Sequence, residues 1–278
     1  MFLVKKDLKK GKEKNDFWYF NVNHYNCLVI GSCINTCTIM IYKFKAFEFF
    51  KSHNIELDTV LDIGAHKGKW TQRFKEHYPN AKVLMIEANA DHVDDLIRTG
   101  HYILALIGKD NEEVDYYMCD DKENNHGNGI YKENTNVPFK LMRRRTVTLD
   151  SLLPGQKFDL IKLDVQGAEL DIIQGSPGFI HNAKYLWVEL QPHNYNIGAP
   201  SAGKVIGYLN QIGFEIITLD EVNTGSGVIL GMDMIFINTR NKDLKTGYDI
   251  HQKVIWGAYA QWVINYNINC NFNLVCSD

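Results

Sequence analysis

From residue 58 onward the apolar positions of the chain fall into two alternating patterns. Short, nearly unbroken apolar runs occur in "TVLDI", "KVLMIE", "HYILALIG", "FDLIKL", "YLWVEL", "FEIITL" and "MDMIFI". Between most of them lie segments in which apolar residues recur every three or four positions, such as Trp70, Phe74 and then His77 or Tyr78 in "KGKWTQRFKEHY". Unbroken runs suit strands buried on both faces, and the wider spacing puts one apolar stripe on a helix. The pattern predicts strands over 58–64, 81–89, 101–108, 157–165, 183–191, 214–220 and 231–239, with a half-exposed strand at 112–118. It predicts helices over 67–78, 90–100 closing at Gly100, 167–175, and 201–213 with Ser201 as N-cap. Such alternation argues for an α/β fold: seven strands, mostly parallel, with helices on both faces. The Gly-rich link before residue 231 leaves no room for a crossover helix, so the last two strands should pair antiparallel.

The flanks differ in character. A basic run, "KKDLKKGKEK", precedes the apolar-leaning "CLVIGSCINTCTIMIY" at 27–42. That stretch falls short of the about 20 apolar residues a spanning helix needs and lacks the layout of a secretory signal. The expected organisation is a soluble strand-and-helix extension over 1–50, a main domain over 51–240, and a C-terminal tail over 241–278. A membrane anchor at 27–42 is the lesser alternative. The tail carries a packing helix, "DIHQKVIWGAYAQWVINY", with Trp256, Tyr259, Val263 and Tyr266 on one face.

Composition narrows the function classes. The 278 residues are 45% hydrophobic and 23% charged, enough to bury a core, and the net charge of −3 supplies no general attraction to nucleic acid. Six cysteines (27, 33, 37, 119, 270 and 276) form no C-x-x-C pair, which fits reduced thiols in a cytoplasmic protein.

Candidate chemistry gathers where the apolar runs end. "LDIGAHKG", "IEAN", "KLDVQG" and "VELQPH" all place polar residues at the carboxyl end of a strand, where open α/β sheets bind ligands. Position 66 is His, so the dinucleotide pattern G-x-G-x-x-G is absent, and a nicotinamide oxidoreductase fits poorly. Glu87 lies 23 residues beyond Gly64, at a spacing that lets an acid accept both hydroxyls of an adenosine ribose. The loop at 119–136, rich in Asn and Gly, is long enough to cover an acceptor, with His126, Asn128 and Tyr131 facing it. Arg143 to Arg145 would suit an acidic acceptor, although a solvated face is the more ordinary reading.

Four strings, "VLDIGAHKGKWT", "VLMIEAN", "RTVTLDSLL" and "FDLIKLDVQGAELDIIQG", together resemble the FkbM family of Rossmann-like, S-adenosylmethionine-dependent methyltransferases over roughly residues 58–238. Family members carry a D-V-E-G-A-E segment where this chain has D-V-Q-G-A-E, so Gln166 departs from the pattern and weight shifts to Asp164 and Glu169. The resemblance implies methyl transfer to a hydroxyl of a sugar, glycan or small metabolite. It implies a methionine-side pocket from Asp62, Gly64, Ala65, His66 and Gly68, a ribose site at Glu87, and adenine flanked by Asn89 and by Leu106 or Ile107.

An alcohol needs a base to become a nucleophile, and Asp164 is the first candidate, with His193 and Glu189 behind it. Gln191 would contact the acceptor. Glu169 is expected to brace the turn rather than react. No metal is expected; if a divalent ion is used, Asp164 and Glu189 would hold it. Two other classes remain beside this reading, a non-catalytic adenosyl-binding protein and, within the same chemistry, an RNA ribose 2'-O-methyltransferase.

Overall fold

The structure is a computed structural model that describes residues 17–22, 25–30, 46–120, 127–193, 195–225 and 228–241. The expected C-terminal helix, most of the 27–42 stretch and His126 lie outside the described residues. The chain divides into two units, Met1–Lys43 and Phe44–Asp278. In the first, β1 (Phe17–Val22) and β2 (Tyr25–Ile30) pair antiparallel, from Phe17 against Ile30 to Val22 against Tyr25. Among the described residues no helix is long and apolar enough to cross a membrane.

The second unit opens with α1 (Ala46–Ser52) and then alternates β3 (Thr59–Ile63), α2 (Lys69–His77), β4 (Lys82–Glu87), a 3₁₀ turn (Ala90–His92), α3 (Val93–Thr99) and β5 (His101–Leu104). A small meander follows, made of β6 (Leu106–Ile107), β7 (Glu113–Cys119) and β8 (Phe139–Val147). The alternation resumes with α4 (Leu149–Leu152), β9 (Leu160–Leu163), α5 (Glu169–Gly175), α6 (Pro177–Ile180), β10 (Tyr185–Leu190) and α7 (Ala202–Gln211). It ends with the hairpin of β11 (Phe214–Gly225) and β12 (Val228–Asn238).

Seven strands form one sheet in the order β11-β12-β10-β9-β3-β4-β5. Strands β10, β9, β3, β4 and β5 run parallel, and β12 runs antiparallel to both of its neighbours. This is the expected mostly parallel sheet with an antiparallel pair at its end. The chain builds outward from β3 to β5, then returns to lay β9 on the other side of β3. The order therefore reverses at the β3/β9 junction, the place where such sheets leave a crevice.

Successive strand residues point to opposite faces, which explains the two cores. Leu61, Ile63, Ile161, Leu163, Leu186 and Val188 face α4 to α7. Val60, Leu160, Tyr185 and Trp187 face α1 and α2. On that second side Phe47 of α1 lies 5.1 Å from the Trp187 ring, 6.0 Å from Phe74 and 6.3 Å from Trp70.

Two strand regions differ from the sequence pattern, and the short helices α4 and α6 were not expected. The single strand expected over 101–108 breaks at Ala105: β5 joins the large sheet, whereas β6 joins a three-stranded sheet ordered β6-β8-β7. Strand β8, which carries the three arginines, was not expected as a strand. It pairs with β7 so that Arg143 stands opposite Asp115 and bonds it at 2.8 Å. Ser201 does precede α7 at the cap position, but its side chain makes no capping hydrogen bond.

Candidate active site

Strand register decides which side chains meet at the carboxyl edge. Ile63 pairs with both Ile86 and Leu163, and Leu163 pairs with Val188. The residues one step further along these four strands are Gly64, Glu87, Asp164 and Glu189, which therefore form one row along the rim. Below them the row Met85–Asp62–Lys162–Trp187 is buried. Between the rim, the 3₁₀ turn and the small sheet lies a cavity of about 380 Å³.

The cavity wall includes Gly64, His66, Glu87, His92, Leu106, Ile107 and Tyr116. Gly64 has φ +80, and a Cβ there would lie 1.9 Å from the Asp164 carbonyl oxygen, so only glycine lets β3 and β9 approach this closely. Glu87 accepts the His66 N–H at 2.7 Å and the Asn89 N–H at 2.7 Å. Burial raises its pKa against these hydrogen bonds. The His66 and His92 rings meet edge to face at 4.1 Å. Burial, and then the neighbouring His66 and Lys67, push His92 down to about 4, so its imidazole is neutral.

Asp164, Gln166, Glu189, Asn128, Glu133 and Tyr195 also line the cavity. Asp164 accepts from Lys162 Nζ at 2.8 Å and from Gln166 Nε2 at 3.2 Å. Burial alone would raise its pKa; the Lys162 charge, with hydrogen bonds from Glu189, Lys162 and Gln166, outweighs burial and holds it below the usual aspartate range. The adjacent Asp164 charge, then burial, hold Glu189 well above the usual range. Asp164 is thus biased toward its ionised form and Glu189 toward its protonated form.

Lys162 itself is 3% exposed. It stands 3.7 Å from Asp62 and 5.6 Å from the Trp70 ring centroid. Burial would neutralise it, but Asp164 and Asp62 more than offset that and keep it charged. Glu169 closes the turn after β9: its Oε1 accepts the Val165 N–H at 3.0 Å and the Gly167 N–H at 3.2 Å. Burial pushes this carboxyl up to about 7.

Of the residues singled out in the sequence, Gly64, His66, Glu87, Leu106, Ile107, Asn128, Asp164 and Glu189 line the cavity. The others sit nearby with different partners. Asp62 is fully buried under the rim and accepts the Thr71 hydroxyl at 2.6 Å. Ala65 packs with Met85 and Leu96, and Gly68 heads α2 against Thr99. Asn89 caps the 3₁₀ turn by accepting the Asp91 N–H. The Tyr131 hydroxyl donates to Asp171 at 2.7 Å. Gln191 is half-buried, and His193 is exposed on its loop.

The three arginines hold the small sheet: Arg144 donates to the Ala88 carbonyl and lies over the Tyr116 ring, and Arg145 donates to the Asn111 carbonyl. No group of three metal-ligating side chains occurs among the described residues. The sequence reading missed Lys162, His92, Tyr116, Glu133 and Tyr195. Only Lys162 left a signal there, as a charge inside an otherwise apolar run.

The wall suits an adenosyl group. Glu87 presents carboxylate oxygens, and Ile86, Leu106 and Ile107 present apolar surface. Comparison with known proteins agrees with this. The FkbM methyltransferase domain matches residues 62–216. No curated protein matches the chain.

Among solved structures, the chain is similar to a magnesium protoporphyrin IX methyltransferase from Synechocystis PCC 6803 with bound S-adenosylmethionine. That pair shows 12% identity over 70% of this chain and 76% of the other, with TM-score 0.42. A TehB-like methyltransferase from Corynebacterium glutamicum gives 13%, 72%, 89% and 0.41. A 1,6-didemethyltoxoflavin-N1-methyltransferase from Burkholderia thailandensis gives 12%, 70%, 76% and 0.38. These likenesses are distant and say nothing of the acceptor. With more than half of its residues inside the matched domain, the chain belongs to the FkbM family of S-adenosylmethionine-dependent methyltransferases.

Proposed function

We propose that the protein transfers a methyl group to a hydroxyl of a sugar, glycan or small hydroxylated metabolite. The observation that carries this reading is Asp164 at the rim just beyond β9, on the cavity wall and hydrogen-bonded by Lys162 and Gln166. Bound S-adenosylmethionine supplies a methyl group on an electrophilic sulfonium. In this reading Glu87 accepts the ribose hydroxyls, and Leu106 and Ile107 flank the adenine.

An alcohol attacks only as its proton leaves, so the residue facing it must be an unprotonated acceptor when the bond forms. Asp164 meets that condition, and Lys162 beneath it stabilises the charge before the proton arrives. Asn128, with a buried donor left over, is suited to orient an oxygen of the acceptor. The arginines bond to the small sheet and its surroundings, which favours a neutral acceptor over an acidic one.

The test is a screen of hydroxylated acceptors with methyl-labelled cofactor, followed by mass spectrometry of the product. O-methylation supports the reading, and a product methylated on nitrogen overturns it. Asp164→Asn should bind S-adenosylhomocysteine as the parent does yet lower kcat by about 10²-fold or more. Glu87→Ala should weaken that binding by about tenfold or more, the loss of hydrogen bonds to a charged group. Full turnover in Asp164→Asn would remove the base assignment.

A further inference from the structure

Gln166 is the residue at which the chain departs from the D-V-E-G-A-E pattern, and the structure gives it a definite place. Its Nε2 donates to Asp164 Oδ1 at 3.2 Å and to Glu189 Oε2 at 3.0 Å. An amide nitrogen has two N–H groups, and both are used here. The backbone at Gln166 has φ +56, a left-handed conformation that few non-glycine residues adopt. A strained residue whose side chain joins two carboxyls on a cavity wall calls for an explanation.

We infer that Gln166 is a positioning residue: its neutral amide clamps Asp164 and Glu189 together and occupies the point between them where a third acid would create a divalent-cation site. The inference rests on the proposed O-methyl transfer for its catalytic consequence, but not for its test.

Geometry and charge agree on this role. Two carboxyls held together repel once both ionise, and a bridging cation or a bridging donor relieves the repulsion. The groups facing the pair are mostly acids. Asp62 on β3, Glu169 on α5 and Asp233 on β12 all act on it, and Tyr195 senses Glu133 and Glu189 from the loop side. Lys162 is the cation among these neighbours, and it lies below the pair, shared with Asp62. A glutamate at 166 would add a further negative charge at the point where the amide now donates. The resulting set of three oxygen donors is one that magnesium or manganese would accept. With the amide in place, a neutral donor bridges the two carboxyls at that point instead of a third acid.

The test needs no acceptor. Carboxyl-labelled protein is titrated by ¹³C NMR in the parent, in Gln166→Gly and in Gln166→Asn. Glycine accepts the left-handed backbone and Asn tolerates it, so both variants should fold. S-adenosylhomocysteine binding by calorimetry confirms that the pocket is formed. The parent should titrate in two well-separated steps, and the lower step, belonging to the pair, should rise by about one unit when the donors are lost. A second arm measures binding of Mn²⁺ alone by its electron paramagnetic resonance signal. Gln166→Glu should take up Mn²⁺ and the parent should not.

An unchanged lower step in both variants, or Mn²⁺ uptake by the parent equal to that of Gln166→Glu, overturns the inference. If the titrations behave as expected while no acceptor is ever O-methylated, it is the proposed function that fails and not the clamp.

Discussion

A Cβ at Gly64 would collide with the Asp164 carbonyl 1.9 Å away, and its φ of +80 disfavours any L side chain. Gly64→Ala should therefore cost about 3 kcal/mol or more, read from the midpoint of a denaturant titration. That demand was visible in the sequence, because a glycine directly after an apolar run at a strand end has few other uses. Glu87, Asp164 and Glu189 were legible for a similar reason, since each interrupts or ends an apolar run at the sheet rim. Lys162 was not. Inside "LIKL" a lysine reads as a half-exposed strand residue, and its burial comes from Asp62 and Trp70, which reach it from β3 and α2. Gln166 showed itself as a departure from a pattern, but of its two carboxyl partners only Asp164 is near in sequence, and folding brings Glu189 of β10 to it.

Among the elements, periodicity located the seven strands of the large sheet and the helices α2, α3, α5 and α7, but not the short α4 and α6. It failed where pairing rather than burial makes the strand. The residues of β8, "FKLMRRRTV", are mostly exposed, so no apolar run marks them, and the strand exists because β7 supplies its hydrogen bonds. Ala105 could not be found either, since the run "HYILALIG" is apolar on both sides of the break. Helix α1 falls in the expected N-terminal extension of residues 1–50, yet it belongs to the larger unit and seats Phe47 in the aromatic cluster of Trp70, Phe74 and Trp187. Phe47→Ala should lower stability by about 3–5 kcal/mol, measured by denaturant unfolding. A residue outside the folded core would leave the midpoint where it was.

At the scale of the whole molecule, pH acts through groups buried around the site. Glu169 titrates near 7 in the folded protein against 4.5 for the ordinary group. The folded state then binds more protons than the unfolded state between those values, so this contribution to stability is complete below 4.5 and is lost as pH rises through 7. His92, held down at about 4 from 6.5, acts in the opposite sense and costs stability as pH falls from 6.5 through 4. Between pH 6 and 8 the glutamate dominates. Raising the pH across that window should lower the stability of the ligand-free protein by about 1 kcal/mol, and Glu169→Gln, which keeps an oxygen for the Val165 and Gly167 amides, should flatten the slope. Differential scanning calorimetry at pH 6 and pH 8 checks both statements. The break at Ala105 bears on how the pocket is built. Glu87 belongs to the large sheet and Leu106 and Ile107 to the small one, joined by the Ala105 N–H to the Glu87 carbonyl at 3.0 Å, while Gly108 bonds Val147 at 3.1 Å. The pocket is a seam between two sheets, closed at its base where Ile107 of the small sheet packs beside Ile86 of the large one. The Ala105 and Gly108 amides should accordingly be among the first whose hydrogen exchange slows when the seam is filled.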